Sequence, residues 1–216
     1  MITLAPATGG KVAASISNLS TGNKAKALGT FSPTGHLVAY GRAGNDTIQM
    51  VSATIGGKVV SLTNPAMFFA GNGNDTLIGG AGNDILVGGS GSNVIIGGGG
   101  SDLIIAGSGT SKIYSGLVGK ATTNPANGSI LIAGATVYDH NAAALASILA
   151  QWTAPQPYAT RIANLTAASN PVKLTTSTVL NKTAVDQVFS DGGLDWFWSI
   201  SGKDIITGRK TGTRLN

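Results

Sequence analysis

The chain has no cysteine and no glutamate, so disulfides are excluded as a staple and all nine acidic residues are aspartates. No run of about 18 apolar residues is present to span a bilayer. The opening MITLAPATGG lacks the apolar stretch of a signal peptide, so any export address is expected elsewhere. Catalytic signatures are missing too: there is no HExxH, no GxSxG and no P-loop lysine motif. His36 and His140 are the only histidines, and His140 reads as a helix-start residue beside a cap at Asp139. The chain is therefore not expected to be an enzyme. Basic residues outnumber acidic ones by 14 to 9, giving +5, and they gather at Lys11, Lys24 and Lys26 and again at Lys203, Arg209, Lys210 and Arg214. Without interleaved aromatics this pattern reads as a solvated surface, and nucleic acid is not expected as a partner.

What is abundant is glycine, at 32 of 216 residues, which together with the missing glutamate argues against a helical protein. The glycines are periodic. From Ala70 the chain reads AGNGNDTLI, GGAGNDILV, GGSGSNVII, GGGGSDLII and AGSGTSKIY, five contiguous nonads of the form GGxGxDxUx, where U is a large apolar residue. The register runs on with decaying glycines through SGLVGKATT, NPANGSILI and AGATVYDHN to residue 141, and an isolated copy, GRAGNDTIQ, starts at Gly41. Asp186, Asp195 and Asp204 renew the nine-residue spacing near the end. In each nonad the first six residues predict a turn and the last three a short strand, so two nonads complete one coil of a flattened right-handed parallel solenoid. The eighth position, Leu77, Leu86, Ile95, Ile104, Ile113, Thr122 and Leu131, then points into a narrow core.

Turn carbonyls aimed at one point by flexible glycines need a cation, and calcium takes six to eight oxygens at about 2.3–2.6 Å. Because successive turns lie on alternate edges, residues sharing an ion stand 18 apart. Asp84 and Asp102 meet this condition, with carbonyls around Gly80, Gly82, Gly98 and Gly100 expected to complete the shell. The other edge carries Asp75, Asn93 and Ser111, a falling ligand charge, while Asp46 and Asp195 hold the same position in the first and last blocks. Lys120 and Tyr138 occupy that position in later turns and should end the sites. The competing reading is a set of glycine-rich turns whose aspartates make only local hydrogen bonds.

Residues 1–40 read as short strands, 41–141 as the repeat roll with an insertion at 50–69, 142–180 as a helical insertion, and 181–216 as the return to the roll and its cap. In the insertion Leu145, Ile148, Leu149 and Trp152 fall on one helical face, Pro157 starts a second helix with Ile162 and Leu165 inward, and Val172–Leu180 is strand-like. Trp196, Phe197 and Trp198 are expected to plug the end of the core, with a sugar-stacking platform as the alternative. The outward positions seven and nine are also apolar, among them Ile85, Val87, Val94, Ile96, Leu103 and Ile105. The helical insertion is expected to cover one such face, and the N-terminal strands or a second subunit the other.

The nonads resemble those of the RTX, or haemolysin-type calcium-binding, family, and FSPTGHLVAYGRAGNDTIQ, ILIAGATVYDHNAAALASILAQW and GGLDWFWS look like segments from the C-terminal end of large bacterial repeat-rich surface proteins. That resemblance implies a mainly β chain that folds outside the cell on meeting calcium. Together the readings predict a secreted calcium-binding β-roll at the bacterial cell surface, structural or adhesive, associating with itself or with other surface proteins. A secretion tail of a larger hydrolase or toxin, and a glycan-binding adhesin, are the alternatives.

Overall fold

The computed structural model describes residues 1–17, 25–117, 128–180, 183–199 and 202–216. Lys24, Lys120 and Thr122 lie outside the described residues. The chain opens with strands β1 (Ile2–Ala7), β2 (Lys11–Ile16), β3 (Lys26–Phe31), β4 (Leu37–Ala43) and β5 (Thr47–Met50). A small antiparallel hairpin, β6 (Ala53–Ile55) and β7 (Lys58–Val60), precedes β8 (Ala66–Asn72). The nonads then give β9 (Thr76–Ile78), β10 (Ile85–Val87), β11 (Val94–Ile96), β12 (Leu103–Ile105), β13 (Lys112–Tyr114) and β14 (Ile130–Ile132). After β15 (Ala135–Thr136) come helices α1 (Ala142–Trp152) and α2 (Tyr158–Thr166). The chain ends with β16 (Val179–Leu180), β17 (Gln187–Phe189), β18 (Trp196–Trp198) and β19 (Ile205–Thr207). From β9 to β13 each strand occupies positions seven to nine of its nonad, where the branched residues sit.

The fold is mainly β. Alternate nonads feed two sheets, one ordered β19-β17-β13-β11-β9-β5-β1-β2-β3 and the other β18-β14-β12-β10-β8-β4. Within the five-copy block the strands pair in parallel 18 residues apart, Ile95 with both Leu77 and Ile113, and Leu86 with Ile104. The spacing then stretches to 27 between Ile104 and Leu131 and to 75 between Ile113 and Val188, before returning to 18 between Val188 and Ile206. The topology is mixed, since β2 and β3 are antiparallel additions and β15 pairs antiparallel with β16. Eighth-position side chains from both sheets meet in one core, where Leu77, Leu86, Ile95, Ile104, Ile113 and Leu131 are buried and Phe68, Val188 and Phe197 continue the stack.

The second core lies on the outer face of the six-stranded sheet. Ile85, Val87, Leu103, Ile105, Ile130 and Ile132 are roofed there by Leu145, Ile148, Leu149, Trp152, Ile162 and Leu165. Trp152 Nε1 donates to the Gly128 carbonyl, and Tyr158 Oη to that of Asp195, which ties the helices to the sheet. The buried Arg161 guanidinium donates to the Trp152 carbonyl and stacks on that residue's ring, 4.3 Å from its centroid.

Several expectations are corrected. The nonad register ends at Ile132, because AGATVYDHN leaves the sheets to enter the insertion, and Tyr138 donates to the Lys173 carbonyl rather than facing a turn. The cap of α1 is Asn141, whose side chain accepts the Ala144 N–H; Asp139 accepts from Thr136 instead. Of Val172–Leu180 only the last two residues form a strand. The N-terminal strands do not cover the nine-stranded sheet. They extend its edge, β1 beside β5, and leave its outer face open. Trp196 and Trp198 are fully buried beneath the helices, which removes the sugar platform there, and only Phe197 enters the central core.

Because Leu86 sits wholly buried between Phe68 and Ile104 in the stack, Leu86→Ala is expected to lose about 2–5 kcal/mol, read as the shift in a denaturant unfolding curve recorded in calcium.

Candidate metal centre

At the sixth position most side chains close a hydrogen bond to the layer before them, whereas Ser111 Oγ turns to donate to the Ala106 carbonyl. On the edge leading into the six-stranded sheet, Asp84 Oδ1 accepts the Ala66 N–H at 2.6 Å, Asp102 Oδ1 the Asp84 N–H at 2.8 Å, Ser129 Oγ the Asp102 N–H at 3.0 Å, and Asp195 Oδ1 the Ser129 N–H at 2.7 Å. On the other edge Asp75 accepts from Asp46, Asn93 from Asp75, Asp186 from Ser111, and Asp204 from Asp186. These are amides that the short strands leave unpaired, and a buried amide without an acceptor is costly. The fifth position makes a parallel ladder nearer the surface, with Asn74 N–H to Asn45, Ser92 N–H to Asn74 and Ser101 N–H to Asn83.

One oxygen of each carboxylate is thus committed, and the second decides the chemistry. Asp84 Oδ2 accepts the Gly80 N–H at 2.7 Å, whereas Asp75 Oδ2 and Asp102 Oδ2 are buried with no hydrogen-bond partner among the described residues. The second oxygens of Asp84 and Asp102 lie beneath the glycine that opens their own nonad. A β-carbon on Gly79 would collide with Asp84 Oδ2 and with the Gly97 carbonyl oxygen, and one on Gly97 would collide with Asp102 Oδ2 and the Ser115 carbonyl oxygen. Each of these glycines therefore opens a cradle where a carboxylate oxygen meets a carbonyl of the next layer.

Gathering oxygens without a cation is electrostatically expensive. Burial pushes the Asp84 carboxyl up to about 7 against the hydrogen bonds from Gly80 and Ala66. Burial, and next the charge of Asp84, pushes Asp102 well above the usual carboxylate range, with Asp195 and Asp191 adding to it. Burial raises Asp195 to about 6 and lifts Asp75 as well.

The expected ligands fare differently. Asp84 and Asp102 come together as the 18-residue spacing requires. The Gly80 carbonyl already accepts the Gly99 N–H, and the carbonyls crowding the carboxylates are those of Gly97 and Ser115, which sequence reasoning missed. The Gly82 carbonyl faces the Cα of Gly100 in the next layer, while no contact sets the Gly98 and Gly100 carbonyls apart as donors. Asp195 has both oxygens occupied, the second by the Ser190 hydroxyl. Asp46 sits at the half-exposed outer end of its ladder.

Asn93 is turned the wrong way for a metal. Its oxygen accepts the Asp75 N–H, so its NH₂ group occupies the cradle at Gly88, beside the Ala106 carbonyl. A neutral donor stands there in place of a cation. Asp191, unremarked in the sequence, hydrogen-bonds Ser115 and brings a carboxylate to the edge where Ser129 replaces aspartate.

Residues 68–95 and 78–113 match the RTX calcium-binding nonapeptide repeat, in four copies. These turns are RTX repeats. RTX repeats bind Ca²⁺, and they are a structural rather than a catalytic element. No curated protein and no solved structure matches the chain. Among the described residues no cluster of three His, Cys, Asp or Glu side chains is poised to hold a metal, so an ion here must draw largely on carbonyls, which suits a hard cation such as calcium. The partnerless Asp102 Oδ2 and the cradles at Gly79 and Gly97 fit it. Asp84, Asp102 and the Gly97 and Ser115 carbonyls would hold the ion, which would supply positive charge that no lysine or arginine among the described residues brings to Asp84 and Asp102.

The raised carboxyls set the sign of the pH response. Their folded-state values exceed the ordinary 3.8, so the native chain binds more protons than the unfolded chain between the two values. In a chelator, stability should therefore be greatest below about pH 4 and decline as pH rises through about 7. Thermal unfolding midpoints measured from about pH 8 down to about pH 5 are expected to climb, and a flat profile would contradict the assignment. Asp102→Asn, which keeps the Oδ1 acceptor as Asn93 does, should melt higher than the parent in chelator at about pH 8 and lower in calcium-saturated buffer.

Proposed function

We propose that the chain is a secreted, right-handed parallel β-roll clamped by calcium, serving as a structural or adhesive module of a bacterial surface. The observation that carries this reading is the buried Asp84–Asp102 pair, 18 residues apart, with the second oxygen of Asp102 lacking a donor among the described residues. A chain that buries such oxygens at neutral pH is arranged for a cation, and folding and binding are then coupled. The two helices and residues 133–180 act as a roof on the roll, residues 1–40 as its N-terminal extension, and 181–216 as its return and cap. No helix among the described residues is long and apolar enough to cross a membrane.

The open outer face of the nine-stranded sheet supports assembly with further copies. Ile78, Ile96, Tyr114 and Phe189 run down one column of it, with the Tyr114 and Phe189 rings stacked at 4.7 Å, and Ile205 is exposed in the next. The edge strand β3, exposed along its whole length, offers a second contact through backbone pairing.

Circular dichroism during a calcium titration is expected to show β-structure and melting temperature rising with the ion. Asp84→Ala and Asp102→Ala should each require more calcium than the parent, whereas a melting temperature at neutral pH that is the same in excess chelator as in calcium would defeat the proposal. In sedimentation with calcium present the parent should form dimers or larger species, and Phe189→Asp should return it to a monomer without altering its melting temperature.

A further inference from the structure

At the β4 edge of the six-stranded sheet, Tyr40 and Phe69 stack at 5.0 Å and 8° and form the floor of a groove of about 570 Å³. Tyr40 is 55% exposed, so one aromatic face is available to a ligand. The groove is walled by Asp139, His140 and the start of α1 on one side and by Arg42 on the other.

Arg42 is the anomaly. It holds φ 74°, alone among the described non-glycine residues in taking a left-handed conformation. Glycine fills the matching position in the next layers on this edge, Gly71, Gly89 and Gly107, each with positive φ. There a β-carbon would strike the carbonyl oxygen of the preceding layer. The Arg42 strand is the sheet's edge, so no such layer excludes its side chain. The backbone conformation still costs free energy that glycine would avoid. Among the described residues no hydrogen bond or ion pair engages the guanidinium. A strained, partnerless cation beside an exposed ring is what a binding site would retain and what packing does not need.

The rest of the lining narrows the ligand. Asn72 and Ser90, hydrogen-bonded to each other, together with Asp139 and His140, suit a ligand rich in hydroxyls. Asp139 already has one oxygen held by Thr136 and retains acceptor capacity for a hydroxyl. Among the described residues Arg42 is the only lysine or arginine in the lining, which fits a single carboxylate and not the closely spaced phosphates of a nucleic acid. The net charge of +5 favours an anionic partner. We propose that this groove binds an acidic saccharide, the apolar face of a sugar ring resting on Tyr40 and a uronate carboxylate paired with Arg42. Such a ligand would make the module adhesive, independently of which carboxylates hold calcium.

The test is isothermal titration calorimetry on the full chain in saturating calcium, with hyaluronan hexasaccharide, maltohexaose and oligodeoxythymidine as probes. Hyaluronan is expected to bind and maltohexaose to bind at least about tenfold more weakly, since a charge-assisted pair is lost. Arg42→Gly should melt at or above the parent temperature, because glycine relieves the backbone, yet lose hyaluronan affinity about tenfold or more. Tyr40→Ala should weaken it similarly. The proposal is overturned if hyaluronan fails to bind at millimolar concentration, if Arg42→Gly binds it as well as the parent, or if maltohexaose or oligodeoxythymidine binds as tightly. Circular dichroism on the same samples separates these outcomes from a failure of calcium-dependent folding.

Discussion

A three-residue strand cannot hydrogen-bond all of the turn that precedes it, and an amide such as that of Asp84 or Asp102, left unpaired at the sixth position of its nonad, must find an acceptor inside the protein. The side chain of the next layer supplies one. That necessity draws the sixth-position carboxylates, such as Asp84 and Asp102, into the interior, and much else follows from their being there. Each carboxylate has a second oxygen, and burying it beside carbonyls of the adjacent layer accumulates negative charge in a region of low dielectric. Protonation can neutralise it at low pH; a divalent ion can do so at neutral pH. Hydrogen-bond ladder and metal affinity are thus two consequences of one residue choice.

The departures from the repeat make the same point. Asn93 satisfies the amide below it and carries its own donor into the cradle, so that layer is neutral without an ion. Ser129 satisfies the amide with a hydroxyl and leaves the charge to others, and on that edge Asp191 approaches from the next turn. The array thus grades from charged to neutral layers, and an ion clamp is needed only where the carboxylates accumulate. The helical insertion follows a comparable economy: it lies over the face whose seventh and ninth positions are most apolar, and it leaves Tyr40 exposed at the sheet's edge.

Most of this architecture is legible in the nonads because period and chemistry coincide: the eighth position fixes the core, the seventh to ninth the strands, and the spacing of 18 the pairing of Asp84 with Asp102. The helices are equally visible, since Leu145, Ile148, Leu149, Trp152, Ile162 and Leu165 fall on inward faces as their spacing requires. What the period cannot convey is where the chain leaves it. AGATVYDHN has the length of a nonad but too little glycine for the turn, and Asp139 is taken by Thr136 while Asn141 caps the helix. Nor does sequence reveal which oxygens of a turn are free, because that depends on amides a full layer away: Gly80 is engaged where Gly97 and Ser115 are drawn to the carboxylates. The groove at Tyr40 escapes notice for the same reason, as its walls come from segments separated by about a hundred residues.

The central claim is that calcium keeps buried carboxylates ionised where the fold alone would protonate them. The direct measurement is the side-chain carboxyl ¹³C resonance of Asp102, assigned by comparison with Asp102→Asn and followed at neutral pH with and without calcium. With the ion bound it should report a carboxylate, and on chelation in the compact state it should shift toward the carboxylic acid position. An Asp102 resonance that stays at the protonated position when calcium saturates the protein would contradict the account.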